Sequence, residues 1–193
     1  MGKYQEVDCR NKLSSFQYFF YDYGRFHGNT VNILIHLTCI PTIVITSYLL
    51  TEFLSTSYFK ISFNFGALIL STWGLLYLTK ELFLGLVTIA EYVGIFYYLH
   101  GRDLSCCNFN HLQIVLGLFV TAWILQFIGH GVFERRAPAL VTNLLLTINA
   151  PLFVNIEIFY YAFGYRKGDI DEAKKYIAQD IKNYLESGKS AKD

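Results

Sequence analysis

The sequence has no excess of either charge: 16 basic side chains stand against 15 acidic ones over 193 residues. A nucleic-acid partner, which needs a basic face, is therefore not expected. Cysteine is sparse, and its placement excludes more than its number does. Cys106 and Cys107 are adjacent, Cys39 lies in an apolar run and Cys9 stands alone. That leaves neither a C-x-x-C zinc pair nor a secreted disulfide framework. The absence of an H-E-x-x-H stretch, together with the composition, excludes a soluble zinc hydrolase. The five histidines are dispersed and form none of the H-x-x-H-H boxes on which membrane di-iron hydroxylases and desaturases depend. The opening stretch MGKYQEVDCRNKLSSFQ is polar rather than a signal peptide, and Glu6 occupies the Ser/Thr position of a myristoylation signal. The closing KSAKD is not a retention tetrapeptide. No linker, internal repeat or low-complexity tract divides the chain, so residues 1–193 read as one domain.

Apolar side chains are what the sequence has in quantity. They make up 53% of it, aromatic residues alone 18%, and the mean hydropathy is +0.33. This is a membrane composition, and attachment is expected from internal segments. Residues 31–50, 61–79, 82–99 and 112–133 approach the ~20 apolar residues that a spanning helix needs. A fifth segment, 143–163, carries Asn149, Pro151, Asn155 and Glu157 inside it. Proline removes a backbone donor and a central carboxylate is costly in lipid, so a kinked span or a broken, re-entrant pair of half-helices is expected there. Residues 169–188 follow as an amphipathic helix. Asp169 and Glu172 resemble a capping box, Gly188 is a stop, and Ile170, Ala173, Ile177, Ile181 and Tyr184 fall on one stripe. The expected fold class is all-α: a polytopic membrane bundle (31–165) of four spans with a broken or re-entrant fifth segment. A cytosolic arm (1–30) precedes it, and the peripheral helix (169–188) lies against the bundle or the bilayer surface. If the fifth segment does not cross, every Lys and Arg except Lys60 and Arg102 falls on the side of the N-terminus, which the positive-inside rule makes cytosolic.

That topology sorts the histidines. His27, His36 and His130 lie on the N-terminal side, whereas His100 and His111 lie about 28 Å away, the length of nineteen helical residues. Gly28 breaks the chain after His27, and Asn29 or Thr30 can cap the next helix, so His27 is free to fold back. Asn32 stands one turn before His36, a possible second partner for that ring. Gln126, His130 and Glu134 form an i, i+4, i+8 stripe, and Gly129 and Gly131 leave room beside His130 for a backbone or a ligand. A single interfacial histidine ordinarily hydrogen-bonds a carbonyl or a lipid headgroup. Three converging neutral imidazoles are instead what a divalent metal needs. Glu134 either ligates or orients His130. Glu91 and Glu157 are metal or proton groups, or protonated carboxyls bonded to tyrosines.

The stretch QFIGHGVFERRAPAL, followed by Asn143, Leu144, APLFVNIE and GY, resembles the Mpo1-like membrane family. FHGNTVNILIH followed by Pro41 is similar to that family's Tyr-His-x-Asn-Pro-Val-Asn-x-x-x-His stretch, with Phe26 in place of tyrosine and Thr30 in place of proline. The resemblance covers residues 16–165. It implies a multi-pass endoplasmic-reticulum enzyme using Fe(II) and O₂ to shorten a long-chain 2-hydroxy fatty acid by one carbon, an α-oxidation step in phytosphingosine degradation. By the same resemblance His27, His36 and His130 are the iron ligands. Glu134 joins them as a catalytic candidate, with Asn32 and Glu157 as supporting ones. Arg135, Arg136, Gly131 and Gln126 are the expected substrate-side residues. The competing reading is a non-enzymatic membrane scaffold or carrier, in which the polar side chains only pack helices.

Overall fold

The computed structural model describes residues 6–55, 59, 65–100, 109–137 and 147–189. All regular structure among them is helical. The first helix, α1 (Ser15–Gly24), starts on a capping box: the Ser14 hydroxyl accepts from Gln17 N–H while the Gln17 side chain accepts from Ser14 N–H. It ends three residues before His27, which a tight turn reaches, with His27 N–H donating to the Gly24 carbonyl at 2.8 Å. Next comes α2 (Thr30–Phe53), capped by the Asn29 side chain, which accepts from Val31 N–H at 2.9 Å. Thr30 takes the first helical position, where proline would also be favourable, so its departure from the family stretch leaves the helix start intact.

Three further apolar helices follow: α3 (Phe65–Leu78), α4 (Leu82–His100) and α5 (Phe109–Ile128). The last runs directly into a π-helical turn, Gly129–Glu134. Thr30–Phe53, Leu82–Leu99 and His111–Glu134 are each long and apolar enough to cross a bilayer. Leu82, Phe83, Leu86, Ile114, Leu118 and Ile124 turn outward on two of them, a surface suited to lipid rather than water. The expected span 61–79 begins among residues outside the description, and its described part is the 14-residue α3. Lys60, Arg102, Cys106 and Cys107 also lie outside it.

The fifth apolar segment becomes α6 (Ala150–Phe163), 14 residues and about 21 Å long. Pro151 does not kink it. It sits in the first turn, where its missing N–H has no helical partner to lose. The C-terminal end of α6 is fastened at the α3–α4 turn, and its N-terminal end lies deeper along α4, beside Tyr92. Tyr77 O–H donates to the Ile148 carbonyl at 2.6 Å, and Tyr165 O–H donates to Glu81 at 2.8 Å. Gly164, at φ +65°, reverses the chain into α7 (Lys167–Lys189), which packs along α1. The helix starts before the expected cap: Asp169 lies in its first turn and accepts from the Gln17 side chain at 3.0 Å. It also runs past Gly188 instead of stopping there. Ile170, Ala173 and Ile177 of the expected stripe are buried, with Ile181 packed beside them.

Asp180 on α7 is fully buried. It accepts from Tyr21 O–H at 3.1 Å and from Val7 N–H at 3.2 Å, and it pairs with Arg136 at 3.1 Å. The N-terminal helix, the C-terminal helix, the end of α5 and the α3–α4 turn therefore share one end of the bundle.

Candidate metal centre

Three histidines from three different stretches meet at that end. His27 follows α1, His36 lies in the second turn of α2, and His130 sits in the π-helical turn. All three are buried, at 6%, 5% and 4% exposure. Their ring centroids are 4.5, 4.9 and 5.0 Å apart, and the rings stand at 69–81° to one another. One ring nitrogen from each lies within 4.8 Å of the other two. Nitrogens that bind one divalent ion at ~2.1 Å stand about 3.0–3.4 Å apart, so binding one ion would draw the three rings inward from this arrangement.

Their hydrogen bonds fix which nitrogen is free. His27 Nδ1 meets the Tyr23 carbonyl at 3.0 Å and His36 Nδ1 meets the Asn32 carbonyl at 2.9 Å. A carbonyl only accepts, so each Nδ1 carries the proton and each Nε2 keeps its lone pair. The His27 ring is also stacked on Tyr23 at 4.1 Å and 8°, and Tyr23 in turn on Phe153 at 3.8 Å. Burial holds His27 well below the ordinary imidazole range, and the neighbouring His36 and His130 push the same way, against the Tyr23 carbonyl bond. The ring stays neutral, the form a metal requires.

Buried side-chain atoms without a hydrogen-bond partner gather around this point: His27 Nε2, His130 Nδ1, Asn32 Oδ1, Gln126 Nε2 and Glu157 Oε2. Such atoms are rare in folded proteins and ask for an ion, a water or a ligand. Beside His27 and His36 lies a cavity of about 10 Å³, the room of one water, lined also by Tyr23, Ile33, Leu37, Phe153, Val154 and Glu157. The donor set, the fixed tautomers and the unpartnered nitrogens fit a divalent transition metal.

Glu134 stands behind the imidazoles. Its Oε1 accepts from Asn29 N–H at 2.8 Å and from Asn32 Nδ2 at 3.1 Å, and Asn32 is the residue whose carbonyl orients His36. These contacts lie on the His36 side of the site rather than on His130, the ring that Glu134 was expected to orient if it did not ligate. Gly129 explains how α5 gets close enough: a Cβ there would collide with Asn32 Oδ1. The wide turn at Gly129–Glu134 replaces the straight α-helical stripe expected for Gln126, His130 and Glu134, although all three still face inward or partly inward. Arg135 closes the turn in a left-handed conformation, φ 52°, with its N–H on the His130 carbonyl.

Other expected residues fall elsewhere. Gly131 is exposed, and a Cβ on it would meet nothing within 4 Å, so the structure does not bring it to the imidazoles. Arg136 is buried and committed: it pairs with Asp180, donates to the Arg25 carbonyl at 3.0 Å, and lies over the rings of Phe26 and Tyr184 at 4.4 and 4.5 Å. Its cation clamps α7 to the site's rim. Arg135 is exposed at the same corner. Glu91 accepts from Asn155, away from the histidines. His111 is exposed near the far end of α5, while the side chain of His100 lies outside the description. Sequence reasoning missed α1 and the Tyr23–Phe153 stack that supports His27. The signal for α1 was present in the Ser14-x-x-Gln17 spacing.

Residues 13–162 match the family model described as 2-hydroxy-palmitic acid dioxygenase Mpo1-like. The chain is 31% identical over 161 residues to the 2-hydroxy-palmitic acid dioxygenase MPO1 of Saccharomyces cerevisiae, covering 82% of this chain and 83% of that protein. No solved structure matches.

Proposed function

We infer the function from one premise: this chain belongs to the Mpo1-like family. We propose that it is an Fe(II)- and O₂-dependent dioxygenase that shortens long-chain 2-hydroxy fatty acids by one carbon. Its place would be the endoplasmic-reticulum membrane, in the α-oxidation that degrades phytosphingosine. The observation that carries this reading is the buried trio His27, His36 and His130, with the tautomers of His27 and His36 fixed by carbonyls and with His27 Nε2 and His130 Nδ1 left unpartnered. In this reading the three imidazoles hold iron(II), which supplies a redox-active centre with open positions for O₂ and for a hydroxy acid.

The chain's own residues prepare that site. The Tyr23 and Asn32 carbonyls hold two rings in the ligating tautomer, and Glu134 holds Asn32. Tyr23, backed by Phe153, covers one face of the His27 ring from water. With Arg136 engaged by Asp180, we assign the exposed Arg135 to attracting the substrate carboxylate. The substrate chain would enter from lipid, among the outward-facing apolar side chains of the spans.

We further propose four spans, with the fifth segment re-entrant and α6 as its returning arm. The length of α6 falls short of the ~30 Å hydrocarbon core, and the helix runs only from the level of Tyr92 on α4 back to the α3–α4 turn. The metal end then faces the cytosol with the basic residues. The test is conversion of 2-hydroxypalmitic acid by protein purified in detergent, with iron measured per chain. The reading expects a product one carbon shorter and bound iron. A washed protein that retains no iron and leaves the acid unchanged would instead be a scaffold.

A further inference from the structure

The metal ligands leave one buried polar side chain in the cleft unexplained. Glu157 reaches it from α6, on the wall opposite α2, and is 4% exposed. Its Oε2 is buried without a hydrogen-bond partner. Its carboxylate is not among the groups whose ligand atoms cluster within 4.8 Å of one another; among the described residues that cluster is the three histidines alone. So Glu157 faces the space beside the imidazoles rather than the point where they converge. The space itself holds about one water-sized atom. Apart from His27, His36 and Glu157, its lining is Tyr23, Ile33, Leu37, Phe153 and Val154, all apolar except for the tyrosine hydroxyl. Asn155, two residues earlier on α6, is occupied by Thr88 at 2.9 Å and Glu91 at 2.8 Å and does not compete for the carboxylate.

An unpartnered acceptor in a greasy wall, with room for one oxygen and no more, is suited to a single hydroxyl. Building on the function proposed above, we propose that Glu157 is the residue that selects the 2-hydroxyl of the substrate, with Oε2 accepting its hydrogen bond. Charged or protonated, a carboxyl retains an accepting oxygen, so this role does not depend on its ionisation. An unsubstituted fatty acid brings no hydroxyl to this space and leaves Oε2 unsatisfied or holding a trapped water. Sites built to bond a substrate hydroxyl reject the analogue lacking it for this reason.

The experiment compares binding of 2-hydroxypalmitic and palmitic acids to the purified, iron-loaded protein in detergent without O₂, so that no turnover occurs. Wild type is expected to hold the hydroxy acid at least about tenfold more tightly. Glu157→Leu should bring that ratio close to one while palmitic acid binds as before, and iron per chain should stay unchanged. A Glu157→Leu protein that keeps the full ratio overturns the inference. So does one whose affinity for both acids falls equally, which is the mark of a packing role. If wild type itself binds neither acid, the proposed function fails, a result distinct from failure of the Glu157 assignment.

Infrared difference spectra cover the case in which Glu157→Leu does not fold. Adding 2-hydroxypalmitic acid should shift a carboxyl band that palmitic acid leaves in place. The shape-conserving Glu157→Gln should lack that shifting band. The same shift persisting in Glu157→Gln would overturn the proposal.

Discussion

At the scale of single residues, the site depends on which nitrogens are already engaged. His27 and His36 each spend Nδ1 on a carbonyl, so replacing either with alanine removes a ligand that was oriented in advance. We expect His27→Ala, His36→Ala and His130→Ala each to lose iron, with binding at least tenfold weaker, while His111→Ala keeps it. Iron analysis of washed protein decides this, and a His111→Ala loss equal to that of His130→Ala would contradict it. Glu134→Ala should weaken iron binding by about 10- to 100-fold without removing a ligand, because Asn32 and the Asn29 backbone lose their anchor. The pH response follows from His27. Its folded form resists protonation, whereas the unfolded chain takes up a proton below about pH 6.5. The metal-free protein should keep this contribution to stability above that pH and lose it as pH falls toward 5. Thermal unfolding of wild type and His27→Phe across that range should show a steeper decline for wild type. Much of this was legible in the sequence, since the convergence of three histidines follows from counting helical residues. What was not legible was the division of labour between neighbours: Arg135 and Arg136 are adjacent and chemically identical, and only packing against Asp180 separates them.

At the scale of elements, the decisive feature is how closely α5 approaches α2. The two glycines around His130 look equivalent in the sequence, yet they meet opposite surroundings. Gly129 faces Asn32, itself held by Glu134, while Gly131 faces open space. Gly129→Ala should therefore cost about 1–3 kcal/mol and displace Asn32, weakening iron retention. Gly131→Leu should fold, load iron and turn over at close to the parent rate. Unfolding in detergent and iron content of the pair separate them, and a Gly131→Leu protein as damaged as Gly129→Ala would show that the approach is misread. Helix content was readable from apolar run lengths, because a spanning helix needs little beyond length and composition. The π-helical turn and the position of Pro151 were not, because a wide turn and a helix start are settled by what packs against them. In α6 the proline that suggested a kink begins the helix.

At the scale of the whole molecule, the first and last helices, α1 and α7, pack together, with Asp180 buried against Tyr21 and Arg136. Removing that carboxylate leaves Arg136 buried without its partner, so Asp180→Ala should destabilise the protein by about 3–5 kcal/mol. Its thermal unfolding should fall well before any change in the histidines' own geometry is needed to explain lost activity. The same packing places α1 and α7 at the metal end, and protease protection of terminal tags should find both tags in the cytosol. Opposite accessibility would mean that the fifth segment crosses. The claim on which all of this rests is that three histidines hold an iron that drives one-carbon shortening. Its most direct test is to strip metal from the purified protein with a chelator, restore Fe(II), and follow 2-hydroxypalmitic acid by mass spectrometry in wild type and His130→Ala. The account predicts that the shortened acid disappears on stripping, returns with Fe(II) in wild type, and does not return in His130→Ala; undiminished shortening by the stripped protein, or full rescue of His130→Ala, would contradict it.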